Sequence, residues 1–153
     1  MQTWQTDTTS VDATESLAAE VGKRLKGGEL IELVSDLGGG KTAFVRGLAK
    51  GMGSHDHVAS PTFTISREYR ADDLTLYHFD FYRLSEPGIM TAELAEFMND
   101  PKAVVAVEWS DIVKHVLPEQ RVTVKLELIG ESSRQLQFTY PEALAYLIPK
   151  DTK

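Results

Sequence analysis

The chain has 153 residues, 42% of them apolar and 25% charged, a balance that suits one globular domain spanning residues 1–153. Acidic residues outnumber basic ones 23 to 16, the net charge is −7 and cysteine is absent, which excludes disulfides, thiolate catalysis and zinc–thiolate sites. No basic run exceeds two residues, so tight unaided binding to nucleic acid, which draws its affinity from phosphate neutralisation, is not expected. No apolar run is long enough to cross a bilayer, and the first residues lack the basic-then-apolar pattern of a secretory signal. A cytoplasmic protein without membrane contact is the expectation.

Residues 3–6 suit a short first strand. Asp12 and Glu15 have the spacing of a capping box, and Leu17, Val21 and Leu25 recur at helical spacing until Gly27 and Gly28 stop the helix. Residues 29–34 form a compact strand, 35–40 a loop and 42–52 a helix ended by Gly51 and Gly53. Residues 62–70 and 74–80 are strand-like and joined by a tight turn, which predicts a hairpin. A helix over 89–98 follows, then the apolar strand 103–107, whose composition predicts burial on both faces. Residues 121–129 alternate, with Val122, Val124, Leu126 and Leu128 on one face, and 134–140 can pair back after a turn. A last helix covers roughly 141–147. The mixture predicts an α/β fold: a P-loop NTPase-like mixed sheet with helices on both faces and antiparallel additions.

The segment with the most chemical content is 35–42: Ser35, Asp36, Leu37, Gly38, Gly39, Gly40, Lys41 and Thr42. It follows a strand and opens a helix, the context a phosphate-binding loop requires. Backbone N–H groups there can wrap a phosphate at the positive end of the helix, and the glycines permit close approach. Lys41 then reaches the β- and γ-phosphates, and the Thr42 hydroxyl ligates magnesium. Ser35 stands where the Walker A pattern has its first glycine. The plainer alternative is a glycine-rich turn with a solvent lysine.

Such a loop needs an acid for the metal. Glu108, at the end of the apolar strand, has the Walker B position and is a candidate magnesium ligand; the alternative is an ordinary strand-end carboxylate. Asp80 ends another strand and is a candidate for orienting the attacking water or holding the metal's shell. Arg83 is a candidate partner for a carboxylate or phosphate, His78 reads as a packed or surface residue rather than a base, and Thr62, where a switch segment would follow the helix, reads equally as a γ-phosphate sensor or as a β-strand threonine. An Asn-Lys-x-Asp base-reading motif is absent, so ATP is expected rather than GTP.

The order of the loop over 36–42, Phe44-Val-Arg-Gly-Leu, Ser60-Pro-Thr-Phe-Thr, His78-Phe-Asp-Phe-Tyr-Arg-Leu and Val107-Glu-Trp resembles the TsaE family over about residues 14–134. The resemblance implies a magnesium-dependent ATPase that supports formation of N6-threonylcarbamoyladenosine at position 37 of tRNA. It also implies TsaD and TsaB protein partners, which hold the tRNA. By the same resemblance Lys41 and Thr42 bind phosphate and metal, and Asp80 and Glu108 serve hydrolysis and metal binding. Trp109 then lies beside the nucleotide, and Thr14 and Arg134 flank it. Ser35 and Gly39 depart from the family's usual Gly and Ala. Two other functions fit a phosphate loop. A small-molecule kinase fits less well, because the segment after Arg83 lacks an arginine-rich lid; a nucleotide-gated binding module needs the same loop and acids.

Overall fold

A computed structural model describes residues 1–35, 40–56, 66–81 and 88–150. Within them the strands β1 (Gln2–Thr8), β2 (Leu30–Val34), β3 (Ser66–Arg70), β4 (Thr75–Asp80), β5 (Ala103–Glu108), β6 (Val122–Leu128) and β7 (Arg134–Tyr140) join in one sheet, ordered β1-β7-β6-β2-β5-β4-β3. The middle strands β6, β2, β5 and β4 run parallel. The additions on both flanks are antiparallel: β1–β7–β6 on one side and the β3–β4 hairpin on the other. The expected hairpin is present over 66–80; its predicted residues 62–65 lie outside the described residues.

Two helices cover one face of the sheet, α1 (Val11–Gly22) and α2 (Lys41–Met52). Their apolar sides meet Ile31, Leu33, Val104, Ala106, Val122, Val124 and Leu126. On the other face, Leu94 of α3 (Gly88–Met98) and Val113 and Leu117, from and beside the 3-10 helix Ser110–Val116, cover Leu30, Phe79, Val105 and Val107. All of β5 is therefore buried, as its continuous apolar run predicts. The two helices of the first face approach closely because of glycine: a Cβ on Gly47 would overlap the Glu15 carbonyl oxygen, and one on Gly51 the Ala19 carbonyl oxygen. Among the described residues no helix is long and apolar enough to cross a membrane.

Several expectations need correction. The N-cap of α1 is Ser10, whose hydroxyl accepts from the Ala13 N–H at 3.0 Å, so Asp12 and Glu15 do not form a capping box. β1 runs on to Thr8 and leaves Ser10 in extended backbone, the conformation a cap requires. The helix ends at Gly22 rather than at Gly27–Gly28, which form the following turn. Val122, Val124, Leu126 and Leu128 alternate onto one face of β6 as read from the sequence; the first three are buried, and Leu128, last in the strand, is 57% exposed. The 3-10 helix Ser110–Val116 was not expected, and the last helix is a 3-10 helix over Glu142–Leu147.

Candidate functional site

Three strand ends lie flush at one edge of the sheet. Leu33 of β2 and Asp80 of β4 both stand opposite Glu108 of β5 in the parallel register. The chain leaves β2 through Ser35 and re-enters α2 at Gly40, a positive-φ residue (φ 101°), with Lys41 first in the helix. Asp36, Leu37, Gly38 and Gly39 lie outside the described residues, as do Thr62 and Arg83. The first turn of α2 carries no acidic residue, so its N-terminal partial positive charge is not offset locally.

Lys41 is only 7% exposed, and its ammonium is fixed from three sides. It donates to the Ser35 carbonyl oxygen at 3.1 Å, lies 3.7 Å from Glu108 Oε1 and sits 4.4 Å from the centroid of the Trp109 ring. The ring contact is a cation–π arrangement. A solvent-directed lysine on a glycine-rich turn is thereby ruled out. Glu108 is buried as well; its second oxygen pairs with Nε2 of His78, which has no solvent exposure. His78, Asp80, Ala106 and Glu108 alternate onto the α1–α2 face of the sheet, the face from which Lys41 approaches. Asp80 is half-buried beside Glu108, and Thr42 half-buried in the first turn of α2.

Trp109 has a left-handed backbone (φ 55°, ψ 54°), alone among the described non-glycine residues in having a positive φ. That conformation costs a residue with a Cβ about 1–2 kcal/mol. It turns the chain sharply at the end of β5 and aims the indole back over Lys41. Arg134, at the start of β7, also reaches the loop: a Cβ on Gly40 would lie 3.3 Å from its Nε. Thr14 is buried on α1. Its hydroxyl bonds Thr8 Oγ1 at 2.6 Å and donates to the Ser10 carbonyl at 3.2 Å, and Thr8 stands opposite Arg134 in the β1–β7 register. The structure thus gathers Ser35, Gly40, Lys41, Glu108, Trp109 and Arg134, with Asp80 and Thr42 at the rim. Thr14 connects through β1.

Two contributors escaped the sequence reading. His78 pairs with a carboxylate thirty positions away, which no local spacing reveals. On the far face of β2, Glu32 is a second buried acid, 2% exposed. Ser110 Oγ and Thr123 Oγ1 donate to it, the latter at 2.9 Å, and Arg121 Nε lies 3.3 Å away. Burial pushes its carboxyl up, but the Ser110 and Thr123 hydroxyls and the Arg121 charge outweigh burial and hold it below the ordinary carboxylate value. A buried Glu in an apolar strand was the available signal.

The family model for the threonylcarbamoyl adenosine biosynthesis protein TsaE matches residues 8–136. The chain belongs to the TsaE family of threonylcarbamoyladenosine biosynthesis proteins. It is 35% identical over 132 residues to the tRNA threonylcarbamoyladenosine biosynthesis protein TsaE of Bacillus subtilis, covering 86% of this chain and 82% of that one. It is also 35% identical to the TsaE protein of Treponema pallidum, over 83% of this chain and 93% of that one. The crystal structure of Bacillus subtilis YdiB superposes with a TM-score of 0.78 at 27% identity, covering 98% of this chain and 93% of the other. The match confirms the P-loop-like mixed sheet.

Proposed function

We propose that this TsaE protein binds ATP with magnesium at the Ser35–Lys41–Glu108 edge and hydrolyses it slowly. In this reading the hydrolysis supports threonylcarbamoylation of adenosine 37 in tRNA, in the cytoplasm, alongside TsaD and TsaB partners. The observation that carries the reading is the Lys41 ammonium, held at a helix N-terminus between the Ser35 carbonyl, the Glu108 carboxylate and the Trp109 ring.

The residues fit the chemistry. Lys41 can exchange the Ser35 carbonyl for phosphate oxygens at little cost, since both are oxygen acceptors and the stronger charge belongs to the phosphate. The N-terminus of α2 adds backbone donors, and the Arg134 guanidinium beside Gly40 adds a second cation. Thr42 would supply a hydroxyl and Glu108 a carboxylate oxygen, hard donors of the kind magnesium takes. Among the described residues no trio of His, Asp and Glu side chains forms a metal cage, and magnesium at a phosphate site characteristically takes only one or two protein ligands. When bound, the ion neutralises charge developing on the phosphate oxygens. His78 holds one oxygen of Glu108, and Asp80, opposite Glu108 in the strand register, would orient the attacking water.

The chain has a net charge of −7, which favours a partner rather than this protein as the holder of tRNA. Phosphate release should therefore be slow for the chain alone and faster when the TsaD–TsaB pair from the same source is added. Association with the pair should differ with and without ATP. Fast hydrolysis that the pair leaves unchanged, with no nucleotide-dependent association, would contradict the coupled-ATPase reading.

A further inference from the structure

The face of the sheet turned away from Lys41 holds a polar cluster that the phosphate site does not itself use. Ile31 and Leu33 of β2 point to the α1–α2 face, so Glu32 between them points to the opposite one. There its Oε2 receives the Ser110 hydroxyl, while Oε1 receives Thr123 and lies beside Arg121. Ser110 is the first residue of the 3-10 helix and directly follows Trp109. Trp109 is the residue in strained left-handed backbone, and its ring is what covers the Lys41 ammonium. Strain of this kind persists only where neighbouring contacts over-determine it. On the N-terminal side β5 fixes the chain through its pairing with β2 and β4. On the C-terminal side the buried Ser110–Glu32 hydrogen bond holds the residue next to Trp109, alongside the packing of Trp109, Val113 and Leu117 on the core.

We propose that the Glu32–Ser110 hydrogen bond is a positioning device for the nucleotide site: acting through the sheet, it holds Trp109 left-handed and so keeps the indole over Lys41. Glu32 suits this task because it is a buried acceptor, 2% exposed, that ties the start of the 3-10 helix to β2 and β6. Glu32 and Ser110 are positioning residues and touch no nucleotide. The consequence for ATP affinity rests on the reading that Lys41 binds phosphate; the consequence for Trp109 does not.

The experiment uses the full chain carrying Trp4→Phe, which leaves Trp109 as the single tryptophan of the two in the sequence. Ser110→Ala removes the hydroxyl next to Trp109. Thr123→Val removes the other hydroxyl on the same carboxylate, from a different strand, and controls for the general loss of one buried hydrogen bond. Without nucleotide, Ser110→Ala should red-shift Trp109 emission and lower its anisotropy, with Thr123→Val unchanged. In titrations with ATP and magnesium, Ser110→Ala should weaken binding at least about fivefold, with Thr123→Val within about twofold of the parent. The two variants should melt at similar temperatures. Unchanged Trp109 emission in Ser110→Ala, or equal shifts in both variants, would overturn the proposal. If the parent chain fails to bind ATP, the proposed function fails, and the nucleotide-free emission still decides this inference.

Discussion

Glu108 is 3% exposed, so its negative charge must be matched within the protein, and both oxygens are matched: Oε1 by Lys41 and Oε2 by His78. Glu108→Gln keeps an acceptor for His78 but removes the charge that faces Lys41 and the metal. Hydrolysis should fall at least about tenfold while ATP binding is weakened less, and turnover set against calorimetric affinity separates the two. Asp80→Asn should keep the parent melting temperature and depress hydrolysis in the same way; unfolding of that variant would show a structural role instead. The places of Lys41 and Glu108 in the candidate site were legible because each sits at a diagnostic junction, one opening a helix after a glycine run and the other ending an apolar strand. His78 was not, because its partner belongs to another strand and the residue types around it, Tyr77 and Phe79, suggest only packing.

The helix pair α1–α2 illustrates how one element fixes another. Gly47 and Gly51, one turn apart on α2, allow its backbone to meet that of α1, and α2 carries Lys41 at its other end. Gly47→Ala forces a methyl into the Glu15 carbonyl and the Ala18 side chain. It should destabilise the protein by about 1–3 kcal/mol, as overpacking does, read as a lowered denaturant midpoint. An unchanged midpoint would mean that the two helices separate freely. The main elements were visible from periodicity, and the burial of β5 on both faces from its apolar run. Register and capping were less visible. Ser10 displaced Asp12 as the cap because the extent of β1 depends on its pairing with β7, a contact with the far end of the chain. The 3-10 helix after Trp109 is likewise tertiary in origin: Ser110 is bound by Glu32, while Val113 and Leu117 pack into the core.

For the molecule as a whole, acid stability depends in part on Glu32, which ties β2, β6 and the 3-10 helix together. Its folded-state pKa is depressed, so its contribution is fully present above the ordinary value of about 4.3 and is lost as pH falls through the lower folded value. Denaturant midpoints measured from pH 6 downward should fall for the parent, and fall less steeply for Glu32→Gln; parallel curves would contradict the assignment. The central claim is that Lys41, fixed between Ser35, Glu108 and Trp109, is the phosphate-binding group of an ATP site. Calorimetric titration of the parent chain and of Lys41→Ala with ATP and magnesium tests this most directly. The parent should bind, and the variant should lose at least about 2 kcal/mol, roughly thirtyfold in affinity, while melting within a few degrees of the parent. Equal affinities, or a parent chain that does not bind ATP at all, would contradict it.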